Sequence, residues 1–145
     1  MTIVNFVQKK REKEWKYEKS ILRELSIKQL RISVKTAFRL RGPIYIIKQL
    51  RELEESTLDC AVEAYLLGAS YSSNYIYDFS IERTKMRCKA EINQINHILK
   101  QYIEYYFEKN NLPMVEDILK QCEDLVWHWW KEGYKTGVKR KKLRL

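Results

Sequence analysis

Glycine and proline are scarce here, four and two in 145 residues. That poverty makes long irregular regions unlikely, and no glycine-rich phosphate loop is present. No apolar run approaches the ~20 residues that cross a bilayer. The opening "MTIVNFVQKK" sets a short apolar patch before its charges. A secretory signal has the reverse order and a longer apolar core, so the chain reads as cytoplasmic. Cysteine is sparse and odd in number: Cys60, Cys88 and Cys122, with no CxxC pair. A disulfide framework and a zinc site of ordinary spacing are both disfavoured, and reduced, buried thiols are expected. Neither histidine belongs to an HExxH, and no Glu-x-x-His pair offers a di-iron site, so no metal or cofactor is expected. Cys60, Asp59 and His97 assemble into a nucleophile set only on paper, because nothing in the sequence places them together. No catalytic residue is assigned, and the chain reads as non-enzymatic.

Strand signals are nearly absent too, and what remains is helical. Phe6, Val7, Trp15, Leu22 and Leu25 give residues 5–25 a partial apolar stripe. Ser26, with Gln29 three residues on, matches a capping box for a second helix. Its Ile27, Leu30, Val34, Ala37 and Phe38 share one face, and Gly42-Pro43 stops it. "IYIIKQLREL" begins a short third helix. Ser56 or Thr57 caps a fourth, which ends at Gly68 as its C-cap. "SYSSNYIYDF" reads as a loop whose four aromatics pack onto the body. Ser80 caps a long helix to Lys109, its seam running Ile81, Lys85, Cys88, Ile92, Ile95, Leu99, Tyr102 and Tyr106. Asn110 and Asn111 break the chain, and Pro113 suits the first turn of the last helix. The expectation is an all-α, single-domain bundle of about five helices over residues 1–138, followed by a basic tail, 139–145.

Along the last helix Trp129 falls on the core face and Trp130 at its edge. Gly133 and Gly137 continue the core face, where the missing side chains permit close approach of another backbone. Trp127 points away, on the side of Tyr134 and Val138. It either covers a second element or forms an exposed patch for a partner protein. His128 projects from the other flank as a surface residue.

The net charge of +9 is unevenly spread. Residues 1–55 carry +7, residues 56–112 carry −1, and residues 113–145 carry +3. From Ser26 to Arg51 there is no acidic residue. Lys28, Arg31, Lys35 and Arg39 form a stripe opposite the Leu30/Val34 face, with Ile32 inside it. The tail adds Lys139, Arg140, Lys141 and Lys142. This pattern points to an anionic partner: nucleic acid, an anionic membrane surface or an acidic protein. The bland alternative is a solvated face whose charge is neutralised by glutamates of the first helix. A scaffold using Trp127 and Tyr134, and an enzyme with a pocket near residues 70–79, complete the readings.

Three stretches, "REKEWKYEKSILRELSIKQLRISVK", "DCAVEAYLLGASY" and "WWKEGYKTGVKRKKLRL", resemble a small family of proteins from Bacillus and its relatives, about this long and classed as a domain of unknown function. The resemblance covers most of the chain and implies a cytoplasmic protein of a Gram-positive bacterium. It brings no activity, cofactor or catalytic residue with it.

Overall fold

A computed structural model of the chain describes residues 3–39, 50–72, 80–111 and 116–143, with side chains for 7–38, 51–72, 80–111 and 118–143. The fold is all-α. Five helices occur among the described residues, and no strand: α1 Ile3–Glu24, α2 Ile27–Arg39, α3 Leu50–Tyr71, α4 Ile81–Lys109 and α5 Glu116–Lys142.

The two serine caps form as the sequence predicts. Ser26 Oγ accepts from the Gln29 amide at 3.2 Å, and Ser80 Oγ from the Arg83 amide at 3.2 Å. Each satisfies an amide that the first helical turn leaves unpaired. Asn110 caps the end of α4, and Asn111 turns the chain at a φ of 54°, where asparagine is tolerated.

α3 and α5 form the central pair. Tyr65 meets Trp129, Gly68 lies on Trp130 and Tyr134, and Ser72 lies beside Gly137. The contacts climb both helices together, so the two run parallel. Gly68 is therefore an interior crossing residue, not the predicted C-cap. A β-carbon on Gly68 would overlap the Trp130 carbonyl, and one on Gly133 the Tyr65 carbonyl. The predicted break before Ser56 is also absent. Thr57 is fully buried and its hydroxyl donates to the Leu53 carbonyl one turn back at 2.8 Å, so it belongs to a continuous helix. The expected start at Ile44, and the Gly42-Pro43 stop, lie outside the described residues, as does Pro113.

α4 packs antiparallel to α3: Tyr71 hydrogen-bonds Glu91, while Leu53 and Tyr106 share a cleft at the other end. Its buried seam includes Cys88, Ile92, Ile95, Leu99 and Tyr106 as predicted. Ile103 takes the place assigned to Tyr102, which stands exposed one position off the seam. α2 buries Leu30, Val34 and Phe38 against α3 and α5, but leaves Ile27 exposed.

α1 departs most from expectation. Among the described residues it docks through its second half, by Tyr17 and Ile21, with Leu25 just past its end. The Tyr17 hydroxyl donates to the Ala69 carbonyl at 3.1 Å, and Glu24 lies near Tyr65. α1 thus runs antiparallel to α3, and its first half extends past the end of α3. Val7 and Trp15, expected on the core face, are exposed, with nothing opposite them among the described residues; Trp15 is 60% exposed.

Candidate anion-binding surface

On α2, Lys28, Arg31 and Lys35 all stand exposed, with Ile32 among them. Arg39 ends the helix, and its side chain lies outside the described residues. The stripe is less cationic in space than in sequence. Arg31 Nη1 sits 2.7 Å from Glu55 Oε1, and Glu54 shares a groove with Lys35. Both acids come from α3, not from the first helix. The Ser26–Arg51 run is acid-free only along the chain.

The stronger concentration of charge lies where the chain's two ends meet. Lys139, Arg140, Lys141 and Lys142 form the last turn of α5. Arg140 is drawn inward: its Nη1 lies 2.8 Å from Glu24 Oε1, with the side chain only 16% exposed. It ties α5 to α1. Lys141 is half-buried, and burial lowers its pKa from the ordinary lysine value. Last-turn cations also complement the negative end of the helix dipole, worth roughly 0.3–1 kcal/mol each.

Lys135, Lys139 and Lys142 rim a cleft of about 570 Å³. Ile81 at the start of α4, with Tyr134, Val138 and Leu143, makes its apolar floor. The exposed first half of α1 carries Lys9, Lys10, Arg11, Lys13 and Lys16 past the same end of α3, against Glu12 and Glu14. Sequence reasoning identified Lys139 and Lys142 but missed Lys135 and Ile81. The i, i+4 steps Lys135–Lys139 and Tyr134–Val138 hinted at paired cationic and apolar rows, but nothing local announces that Ile81 lies beside them.

The tryptophans divide differently from expectation. Trp130, assigned to the edge, is 0% exposed and stacks on Tyr134 with ring centroids 5.5 Å apart. Trp129 is buried as expected, and its indole N–H donates to Ser33 Oγ on α2 at 3.2 Å. Trp127 covers a second element. It is half-buried, edge-on to Trp130 at 5.6 Å, with Lys85 Nζ of α4 5.4 Å from its ring centroid. Residues two positions apart on a helix are separated by about 200° around its axis. Trp129 therefore faces α2 while Trp127 faces α4, on opposite sides of α5. Tyr134 is buried, so no exposed Trp127–Tyr134 patch exists.

All three thiols are buried. Burial first, then nearby carboxylates, pushes Cys60 up to about 11 and Cys88 to about 11. Burial likewise pushes Cys122 to about 12. A thiol so raised stays protonated at neutral pH and is a poor nucleophile. His97 stands exposed on α4 and Glu63 on α3. Among the described residues no cluster of histidine, cysteine and carboxylates is placed to hold a metal. Of the predicted 70–79 pocket, Tyr71 is half-buried and Ser72 buried, and residues 73–79 lie outside the described residues. No described helix is long and apolar enough to cross a membrane.

Comparison with known proteins gives one family, described as "Protein of unknown function (DUF2521)", matching residues 1–145. The chain is also similar to a Bacillus subtilis protein named "Uncharacterized protein YbaK". The two are 28% identical over 152 residues, covering 99% of this chain and 97% of that relative. No solved structure matches.

Proposed function

We propose, for a chain that belongs to the DUF2521 family of proteins of unknown function, that it is a non-enzymatic helical protein that binds anionic membrane surfaces in the cytoplasm. The apolar-floored cleft rimmed by Lys135, Lys139 and Lys142 carries this reading. Phosphates of a nucleic acid need cations but have no use for an apolar floor. A lipid surface uses both: anionic headgroups for the lysines and an acyl or glycerol portion for Ile81, Val138 and the exposed Leu143. Exposed Trp15 and Val7 among the cations of α1 add amphipathic character to the same end. Each lysine near such a surface is worth about 1 kcal/mol.

The test is co-sedimentation with phosphatidylglycerol-containing vesicles against phosphatidylcholine vesicles, with duplex DNA retention measured in parallel. Binding to anionic vesicles alone is expected, falling steeply with salt. Lys135→Glu/Lys139→Glu/Lys142→Glu should abolish it. Leu143→Ser should weaken vesicle binding while leaving any DNA retention unchanged. Failure to bind either vesicle, or DNA binding that outcompetes vesicles, overturns the reading.

A further inference from the structure

The cleft at the end of α5 is a concavity, and a membrane surface alone does not fill one. Its volume of about 570 Å³ falls inside the ~300–1,000 Å³ of pockets that enclose a small molecule. A bilayer presents a plane. Seated on the lysine rim, it would leave the floor of Ile81, Tyr134 and Val138 facing trapped water. Apolar cavities take hydrocarbon in preference to water, so an alkyl chain is expected to enter.

The helix gives that chain a direction. Two rows, each stepping by one turn, run along α5 at the cleft: Tyr134, Val138 and Lys142, and beside them Lys135, Lys139 and Leu143. Tyr134 is 6% exposed and Leu143 57%, so the cleft opens toward the end of the helix. The Leu143 amide donates to the Lys139 carbonyl at 3.0 Å, which carries the helical path to the mouth. An amphiphile on the first row lays its tail against Tyr134, Val138 and Ile81 and its head between Lys139 and Lys142. The lysine stems extend the apolar wall while their amines reach outward. Lys135 stands on the flank, where it also reaches Glu132 at 3.7 Å, an exposed pair worth little. The carbonyl end of α5 brings about half a negative charge to the cleft. Ile81, the first residue of α4, brings the opposite helix end. The two offset, and the lysines decide the sign.

We propose that this cleft binds one long single-chain anionic amphiphile of the fatty-acid class, its carboxylate at Lys139 and Lys142 and its tail toward Tyr134. A methylene is about the size of a water, ~30 Å³. The volume therefore holds one long chain and not the two of a phospholipid. The inference rests on the lipid reading of this cleft and narrows it from a surface to a single chain.

Isothermal titration calorimetry with dodecanoate, kept below its micelle threshold, tests it beside the vesicle assay. Saturable one-to-one binding is expected. Decanoate, which buries fewer methylenes, should bind about tenfold more weakly. Dodecyltrimethylammonium, the same chain with a cationic head, should not bind. Ile81→Trp and Val138→Trp fill the cleft from different helices, and each should weaken dodecanoate binding about tenfold or more. Circular dichroism checks that each variant remains folded. Absence of saturation below the micelle threshold overturns the proposal. So does equal binding of the cationic amphiphile, or folded variants that both bind like the parent chain. Vesicle binding without dodecanoate binding overturns this inference alone. Dodecanoate binding without vesicle binding overturns the surface reading alone.

Discussion

A single hydrogen lets α3 and α5 cross closely at Gly133. Gly133 sits in the interior of α5, where an alanine would ordinarily gain about 1 kcal/mol of helix propensity. Its position against Tyr65 reverses that sign. The added carbon would meet the Tyr65 carbonyl group and Cα, all backbone, none of which can swing aside as a side chain would. Gly68 faces Trp130 in the same way from the other helix. Gly133→Ala is thus expected to destabilise, by about 1–3 kcal/mol, the range for overpacking a tight core. Urea denaturation measures it, and a stabilised variant would show that α3 and α5 stand farther apart than this crossing requires. Trp130 depends on the same geometry: only with α3 this close does its ring reach the interior, stacked on Tyr134 and edge-on to Trp127.

Helices are stabilised by what lies opposite them, and α1 shows the limit of reading them alone. Residues 7–16 are helical and uniformly exposed, with no partner face among the described residues to hold them. Short helical stretches without tertiary packing are marginal in water. Backbone amides from Val7 to Lys13 are therefore expected to exchange near unfolded rates, with protection rising from Tyr17, as hydrogen exchange by mass spectrometry would show. Uniform protection along α1 would require a covering surface for Trp15. Nothing in "NFVQKKREKEW" distinguishes an apolar stripe that meets a core from one that meets solvent. The elements that were legible carry their own punctuation: Ser26 and Ser80 form caps, and Cys88, Ile92, Ile95 and Leu99 keep a spacing only a packed helix needs. α3 was misread for the converse reason. Gly68 and Thr57 look like helix ends locally, but a crossing with α5 fixes the one and burial the other. The cationic turn of α5 was legible as charge. Its cleft was not, because Ile81 reaches Val138 only through the fold. Likewise the acids that temper the α2 stripe, Glu54 and Glu55, arrive from the next helix.

For the molecule as a whole, two effects of pH pull against each other. A net charge of +9 favours expansion, and approach to the isoelectric point near 9.4 relieves that repulsion. The buried thiols act the other way. Each has a folded pKa raised from 9.0, to about 11 for Cys60 and Cys88 and about 12 for Cys122. Between those values the folded state holds protons that the unfolded chain has released. Stability from these groups is complete below pH 9 and is lost as pH rises through 11 to 12. Tyr65, Tyr71 and Tyr106 shift the same way, so they steepen the loss. The thiols lie in the core beside the α3–α5 contact, whereas most of the lysines whose repulsion is relieved are exposed and screened by salt. The core effect should therefore dominate. In reducing buffer at 0.15 M salt, the urea midpoint is expected to stay level or rise slightly from pH 7 to 9 and then to fall. Cys122→Ala, though less stable at pH 7 for the cavity it leaves, should show a shallower fall above pH 9. A slope identical to that of the parent chain would assign alkaline unfolding to the tyrosines and the surface charge instead of to the buried thiols.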